Sequence, residues 1–95
     1  MFTWDEEKRE KVIKEHKVDC AKIEDIFDDP FSIDFTDYEH SSDNETRYAK
    51  IAFTVEYGLV FLIYTEADFE IVRFVTARRA ENWMAKEYER RKNRY

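Results

Sequence analysis

The sequence contains very little glycine, proline or cysteine, and each shortage excludes a class of protein. One glycine and one proline among 95 residues argue against a disordered chain, which is usually rich in both. A single cysteine, Cys20, cannot form an internal disulfide, and this suits a reducing cytoplasm. No apolar run approaches the ~20 residues that a membrane-spanning helix requires, and no secretory signal is visible. We therefore expect one cytoplasmic domain over residues 1–95, with no membrane partner.

Charged residues are abundant but unevenly distributed along the chain. They make up 40% of the sequence, and the formal net charge is −6. Residues 1–45 carry 6 basic and 15 acidic side chains, whereas residues 46–95 carry 10 basic and 7 acidic ones. The asymmetry predicts either an acidic flank beside a basic functional face or a solvated acidic surface. Charge alone does not separate these two interpretations.

The longest apolar run, residues 59–65, predicts the central strand of an antiparallel sheet. Gly58 precedes this run, and its continuous apolar character is typical of a strand that is buried on both faces. Amphipathic strands over residues 47–55 and 70–76 flank it, with connections that are too short for a crossover. Residues 31–35 alternate between apolar and polar side chains and predict a fourth strand.

Three helices complete the predicted fold. Residues 5–16 form the first, with an aspartate as its N-cap; Asp19 begins a second helix, which Pro30 ends. A last helix is predicted over residues 76–91, and residues 1–4 are expected to add an edge strand or to pin the first helix. The sequence therefore predicts an α+β domain with two N-terminal helices, a four-stranded antiparallel sheet and a C-terminal helix.

Arginines near the end of the predicted sheet suggest an anion site. Arg73 lies between two apolar residues on its strand face, where burial of an unpaired guanidinium would be unfavourable. Arg78 and Arg79 are predicted to lie in the first turn of the last helix, where free backbone N–H groups also attract anions. We predict a phosphate site here. The alternative is that Arg73 pairs with Glu45 while Arg78 extends into solvent.

Other polar and aromatic residues give weaker signals. The two-residue period of a strand places Glu45 and Arg47 side by side, although such surface pairs usually contribute little to stability. His16 lies on a helix face where a lone histidine is more often packed than catalytic. His40, in an acidic loop, fits no recognised pattern of metal ligands, and no metal is expected. We predict packing roles for the remaining candidates, which are Cys20, Trp83 and Tyr88.

Six short motifs occur in order along the chain: Trp4-Asp5-x-x-Lys8, His16-x-Val18, Phe27-x-Asp29-Pro30, Glu45-x-Arg47-Tyr48, Tyr64-Thr65, and Arg73-x-x-x-Ala77-Arg78-Arg79-Ala80 with Tyr88 beyond it. Together they cover nearly the whole chain, and the ordered set resembles the BrnT-type toxins of bacterial toxin–antitoxin modules. The resemblance implies a RelE-like fold and a ribonuclease that cleaves cellular RNA without a metal or other cofactor. It also implies growth inhibition, and neutralisation by a BrnA-type antitoxin, a ribbon–helix–helix protein. DNA would be bound only through that antitoxin.

The chain also departs from the family pattern. Glu15-His16-Lys17 stands where the family usually has Lys-His-Gly, and Val12, Ala52 and Met84 replace Asn, Gly and Glu. By the resemblance, Glu15 in place of the lysine would remove a potential phosphate contact and add repulsion. Without glycine at Lys17 we expect the end of the first helix to be rebuilt, because a left-handed lysine costs roughly 1 kcal/mol or more.

Metal-free RNA cleavage needs groups that hold the phosphate and groups that move protons. Arginine stays protonated, so it can stabilise charge but cannot shuttle protons. We therefore assign the following roles: Arg73 and Arg78 hold the scissile phosphate, Arg47 orients Glu45, Glu45 or His16 transfers protons, and Lys8 and Arg79 bind RNA. The guanidinium groups are expected to converge on one pocket. The alternatives are a catalytically degraded family member that acts only as a protein-interaction subunit, and a plain RNA-binding module.

Overall fold

The computed structural model describes residues 1–39, 41–42, 44–68 and 70–94, so His40 lies outside the described residues. One sheet, two α-helices and two short 3₁₀ helices make up this part of the chain. In chain order the elements are β1 (Phe2–Trp4), α1 (Glu6–His16), the 3₁₀ helices Cys20–Lys22 and Glu24–Asp28, β2 (Ile33–Thr36), β3 (Arg47–Thr54), β4 (Gly58–Asp68), β5 (Ile71–Arg79) and α2 (Asn82–Lys92). Neither α-helix in these ranges is long and apolar enough to cross a bilayer.

The sheet has five strands in the order β1-β5-β4-β3-β2. The four strands β2 to β5 pair antiparallel, as their short connections predict, and Gly58 begins β4 with a φ of +74° that suits glycine. The prediction of a four-stranded, all-antiparallel sheet is wrong at one edge. Residues 2–4 add β1, which pairs parallel to β5 with Phe2 opposite Val72. Of the two expectations for the first residues, the edge strand is therefore the correct one.

The first predicted helix is confirmed as α1. Asp5 is its N-cap, and the Asp5 carboxylate accepts hydrogen bonds from the backbone N–H groups of Glu7 and Lys8. At the other end Lys17 itself adopts the left-handed conformation, with φ 59° and ψ 29°, and its N–H donates to the Ile13 carbonyl. The expectation that this helix end is rebuilt is therefore wrong, and the lysine keeps the strained backbone.

The second predicted helix is wrong, because residues 20–28 form two 3₁₀ helices instead. Asp19 does act as an N-cap and accepts a hydrogen bond from the Ala21 N–H. The apolar residues that follow, Cys20, Ile23 and Ile26, are spaced by three. A 3₁₀ helix has three residues per turn and places such residues on one side, and all three are buried.

The last helix begins later than the sequence predicts. β5 continues to Arg79 and α2 starts only at Asn82, so Arg78 and Arg79 lie in a strand and not in the first turn of a helix. Continued pairing with β4 explains the extension, since Thr76 and Arg78 lie opposite Ile63 and Phe61.

The sheet is packed on both faces. On one, which we call the closed face, the N-terminal segments bury the central cluster of Val18, Ile23, Ile26, Leu62 and Phe74. On the other, the open face, α2 places Met84 and Tyr88 over Ile33 and Ile51. Tyr88 is only 4% exposed, so its predicted core position is confirmed, and Cys20 is buried as predicted. The prediction for Trp83 is wrong, because this side chain is 58% exposed.

Candidate functional site

A groove of about 500 Å³ lies on the open face beside the start of α2. Its floor is apolar and is made by Phe61 and Ile63 of the central strand. Its polar lining comes from several elements: His16 at the end of α1, Asp37 and Glu39 after β2, Arg47 of β3, Thr76 and Arg78 of β5, and Glu81 before α2. Phe35, Trp83 and Met84 complete the wall. We call this feature the groove.

Strand alternation explains why the arginines reach the groove. Side chains opposite one another on paired strands point to the same face, and Arg78 lies opposite Phe61. Arg47 points to the same open face as Ile51, because the two residues are four positions apart in β3 and side chains alternate between the faces. His16 arrives from α1, which packs against β5. The groove therefore combines residues from both ends of the chain.

Arg78 is held by a carboxylate and an aromatic ring. Its Nη1 donates to Glu81 Oε1 at 2.7 Å, and its guanidinium lies 5.1 Å from the centre of the Phe61 ring. The second oxygen of Glu81, Oε2, accepts a hydrogen bond from the indole N–H of Trp83 at 2.6 Å. The hydrogen bonds from Arg78 and Trp83 lower the pKa of Glu81, so the carboxylate is charged at neutral pH.

Arg47 is held from both its main chain and its side chain. The Arg47 N–H donates to Ser41 Oγ at 2.9 Å, and its Nε donates to Glu45 Oε1 at 3.2 Å. Glu45 and Arg47 are thus side by side, as the strand period predicts. Each groove arginine therefore uses one of its five guanidinium donors on a glutamate, and other donors of the same group can bind an incoming phosphate.

The structure brings only part of the predicted set together. Arg73 lies opposite Thr65 of β4, and Thr65 lies opposite Arg47 on its other side. Arg73 and Arg47 therefore lie on the same face of the sheet, on either side of Thr65, with their backbones ~10 Å apart. Arg73 lines a separate hollow of about 390 Å³, together with Glu45. The expected convergence of all three guanidinium groups on one pocket is therefore wrong for Arg73.

The two predicted RNA-binding residues lie away from the groove. Arg79 follows Arg78 in β5 and points to the closed face, where its guanidinium lies 5.4 Å from the centre of the Tyr57 ring. Lys8 is exposed on α1 and borders a small cleft beside Asp5. Neither of them lines the groove.

Sequence reasoning missed Glu81 and Trp83 as site residues. It placed Arg78 inside a helix, where Glu81 would have been one turn further along the same helix. The spacing of three residues between Arg78 and Glu81 was a usable signal, since it also permits an ion pair across a strand-to-helix turn.

The chemistry of the groove follows from its side chains. Two guanidinium groups can hold an oxyanion through charge-assisted hydrogen bonds, and an imidazole can exchange protons near neutral pH. Within residues 1–39, 41–42, 44–68 and 70–94, no cluster of three His, Cys, Asp or Glu side chains has the geometry to hold a metal ion. The groove thus brings together anion-binding arginines, an imidazole and three carboxylates.

The comparisons with known proteins define the class. A family model described as "Ribonuclease toxin, BrnT, of type II toxin-antitoxin system" matches residues 4–83, which places the molecule among the ribonuclease toxins of toxin–antitoxin systems. Within that class the chain belongs to the BrnT family. No curated protein sequence matches it.

A solved structure supports the fold. The chain is similar to the crystal structure of the Brucella abortus ribonuclease toxin BrnT, with a TM-score of 0.68 and 21% sequence identity. The similarity covers 86% of this chain and 99% of that one. The two proteins therefore share a fold, whereas most of their side chains differ.

Proposed function

We propose that this chain is a RelE-like, metal-independent endoribonuclease that cleaves cellular RNA in the cytoplasm and thereby inhibits translation and growth. One observation carries the proposal: Arg47, Arg78 and His16 line a single groove on the open face. Membership of a family of ribonuclease toxins supports it. A BrnA-type antitoxin of the ribbon–helix–helix class would neutralise the toxin, and DNA would be bound only through that partner.

The roles follow from what each group can do. Arg47 and Arg78 bind the scissile phosphate and stabilise the negative charge that develops when the 2′-hydroxyl attacks it. His16 and Glu45 are the candidates for taking the hydroxyl proton and returning one to the leaving oxygen. Arg73, in the adjacent hollow, contacts a neighbouring phosphate of the same strand. In this assignment Lys8 and Arg79 bind RNA outside the groove.

A second function is favoured by the acidic lining of the groove. Among the described residues, three acids line the groove (Asp37, Glu39 and Glu81) against two arginines, and carboxylates repel a phosphate backbone. This balance favours the alternative of a degraded family member that only binds its protein partner. The same acids suit a basic segment of an antitoxin.

Cleavage of RNA by the purified protein in the presence of a chelator tests the proposal. We expect the wild-type chain to cut single-stranded RNA, and Arg47→Ala and Arg78→Ala each to reduce the rate by ~10²-fold or more, the usual loss on removing a charge-stabilising donor. Arg90→Ala is the matched control, because Arg90 is also paired with a glutamate three residues away but lies at the far end of α2. It should cut like the wild type.

The outcomes separate the two functions. Undiminished cleavage by the Arg47 and Arg78 variants would contradict the catalytic assignment. A wild-type chain that binds an antitoxin tightly but cuts no RNA would establish the interaction subunit instead. Thermal unfolding of every variant shows whether a lost activity reflects a lost fold.

A further inference from the structure

Trp83 is a large aromatic side chain that the fold leaves exposed at the mouth of the groove. It is 58% exposed, whereas the other tryptophan, Trp4, packs against Phe74 with ring centres 6.2 Å apart. A single exposed aromatic is common on protein surfaces. Trp83 differs from such residues because it lines the groove and its indole N–H is hydrogen-bonded to Glu81.

The indole ring is fixed by the same carboxylate that holds Arg78. Glu81 accepts from the Trp83 indole N–H through one oxygen and from the Arg78 guanidinium through the other, at 2.6 and 2.7 Å. A carboxylate is planar and short, so this arrangement sets the ring and the guanidinium at a defined separation. An aromatic ring with a satisfied N–H and an exposed surface is thus held next to a phosphate-binding cation.

The neighbouring lining is aromatic as well. Phe35 is 43% exposed and lies 6.3 Å from Phe61, measured between ring centres. Both rings line the groove together with Trp83 and Arg78. Cations that follow a backbone, combined with aromatic rings on which bases stack, are the usual means of binding single-stranded nucleic acid.

We propose that Trp83 is a stacking platform for one unpaired nucleobase, adjacent to the phosphate that Arg78 holds. The inference rests on the proposed function and specifies the substrate: single-stranded RNA with an extruded base at the groove. Because the indole N–H is already bonded to Glu81, Trp83 contacts the base through its face and not through its edge. Selection among bases at this position is therefore by stacking area, with purines bound more tightly than pyrimidines.

Binding of a short 2′-O-methyl RNA tests this, because the blocked 2′-hydroxyl prevents cleavage and leaves binding alone. In the Trp4→Phe variant Trp83 is the remaining tryptophan, and we expect its fluorescence to be quenched as the RNA binds. Trp83→Leu should weaken binding about tenfold, within the range measured for loss of one base–aromatic stack. Trp83→Phe keeps a smaller ring and should fall between Trp83→Leu and the wild type.

Each outcome decides the matter. Binding of the 2′-O-methyl RNA that is equally tight in Trp83→Leu and the wild type, with unchanged fluorescence, would overturn the stacking role while leaving the nuclease intact. The same result accompanied by lost antitoxin binding would assign Trp83 to the protein interface and also overturn it. If the wild type bound no RNA at all, both the inference and the proposed function would fail. Since the side chain is exposed, we expect the midpoint of thermal unfolding to stay unchanged in both Trp83 variants.

Discussion

The closed and open faces of the same sheet differ in how completely they are covered. On the closed face Phe2, Phe27 and Phe74 form a packed aromatic group, with ring centres 5.3 to 6.1 Å apart. On the open face α2 covers one end with Met84 and Tyr88, and the groove and the hollow beside Arg73 lie on the part that α2 leaves uncovered. The closed face is thus filled by packed side chains, whereas the open face keeps a solvent-accessible groove.

The charged side chains of the two faces also differ in how deeply they are buried. Lys50, on the closed face, is 7% exposed and is fully committed, with its ammonium 2.6 Å from Asp34 Oδ1 and 4.9 Å from the centre of the Phe27 ring. The groove arginines are partly exposed, with side-chain exposures of 28% and 39%. Each of them uses one guanidinium donor on its glutamate and can offer others to a second anion. Buried charges therefore serve the fold here, and exposed pairs are available for binding.

Leu62→Ala should produce the largest difference between the faces. Leu62 is fully buried at the centre of the closed face, so its truncation should lower the free energy of unfolding by ~2–5 kcal/mol. Phe35→Ala, at the groove, is the control and should lower it by less than ~1 kcal/mol, because Phe35 is already 43% exposed. Urea unfolding measures both. Equal decreases in the free energy of unfolding of Leu62→Ala and Phe35→Ala would contradict the difference in packing between the two faces.

Asp29→Ala should have the next largest effect, because this carboxylate connects α2 to the sheet. Asp29 accepts hydrogen bonds from the Tyr88 hydroxyl at 2.6 Å and from the backbone N–H groups of Phe53 and Phe31 at 2.8 and 2.9 Å. We expect a loss of ~2–3 kcal/mol in the free energy of unfolding. Tyr88→Phe removes one of these three donors and should lose ~1 kcal/mol. An Asp29→Ala loss no larger than that of Tyr88→Phe would contradict this account.

Asp29 also makes the stability sensitive to acid. Burial raises the pKa of Asp29, but the hydrogen bonds from Tyr88, Phe53 and Phe31 outweigh it, and the net pKa lies below the ordinary value of 3.8. The folded state therefore favours the ionised carboxylate. Its contribution is present above pH ~4 and is lost as the pH falls through the lowered pKa. Unfolding measured between pH ~5 and ~2 should show a shallower decline in Asp29→Asn than in the wild type.

Lys17→Gly should have the smallest effect and should be stabilising. Lys17 holds a left-handed conformation directly after His16, where glycine avoids a penalty of ~1 kcal/mol. Lys14→Gly, one turn earlier inside α1, should destabilise by a similar amount, since glycine lowers stability in a helix interior. If the midpoint of thermal unfolding rises in Lys17→Gly and falls in Lys14→Gly, the backbone strain lies at Lys17, at the border of the groove. A loss of stability in both variants would show that the helix end is relaxed.

The strands were predictable because their patterns are local. The apolar run of β4 indicates burial on both faces, and the structure confirms it, with Leu62 facing one cluster and Phe61 bordering the other. Two errors came from competition between local preference and pairing. The Ala77–Ala80 segment suits a helix, yet pairing with β4 extends the strand through Arg79. Residues 20–28 carry helical signals, but their spacing of three fits a tighter helix.

Several residues that line the groove could be selected from the sequence by type, but their grouping could not. Arg47, Arg78 and His16 could be selected as candidates from their chemistry, and they lie together. Arg73 lies opposite Thr65 because the register of β5 against β4 shifts between Ile63 and Tyr64, and it lines the hollow beside Thr65 instead of the groove. A single sequence does not encode such a register visibly. The roles of these residues stay predictions until the variants are measured.

The parallel pairing of β1 with β5 affects the order in which the parts of the molecule fold. Residues 2–4 pair with residues 72–74, which lie seventy positions further along the chain. Contacts that distant close late in folding, and Arg78 lies beyond them in the same strand. The strand that carries Arg78 therefore gains its outer neighbour only when segments seventy positions apart meet, so this edge of the sheet is among the last parts of the fold to form.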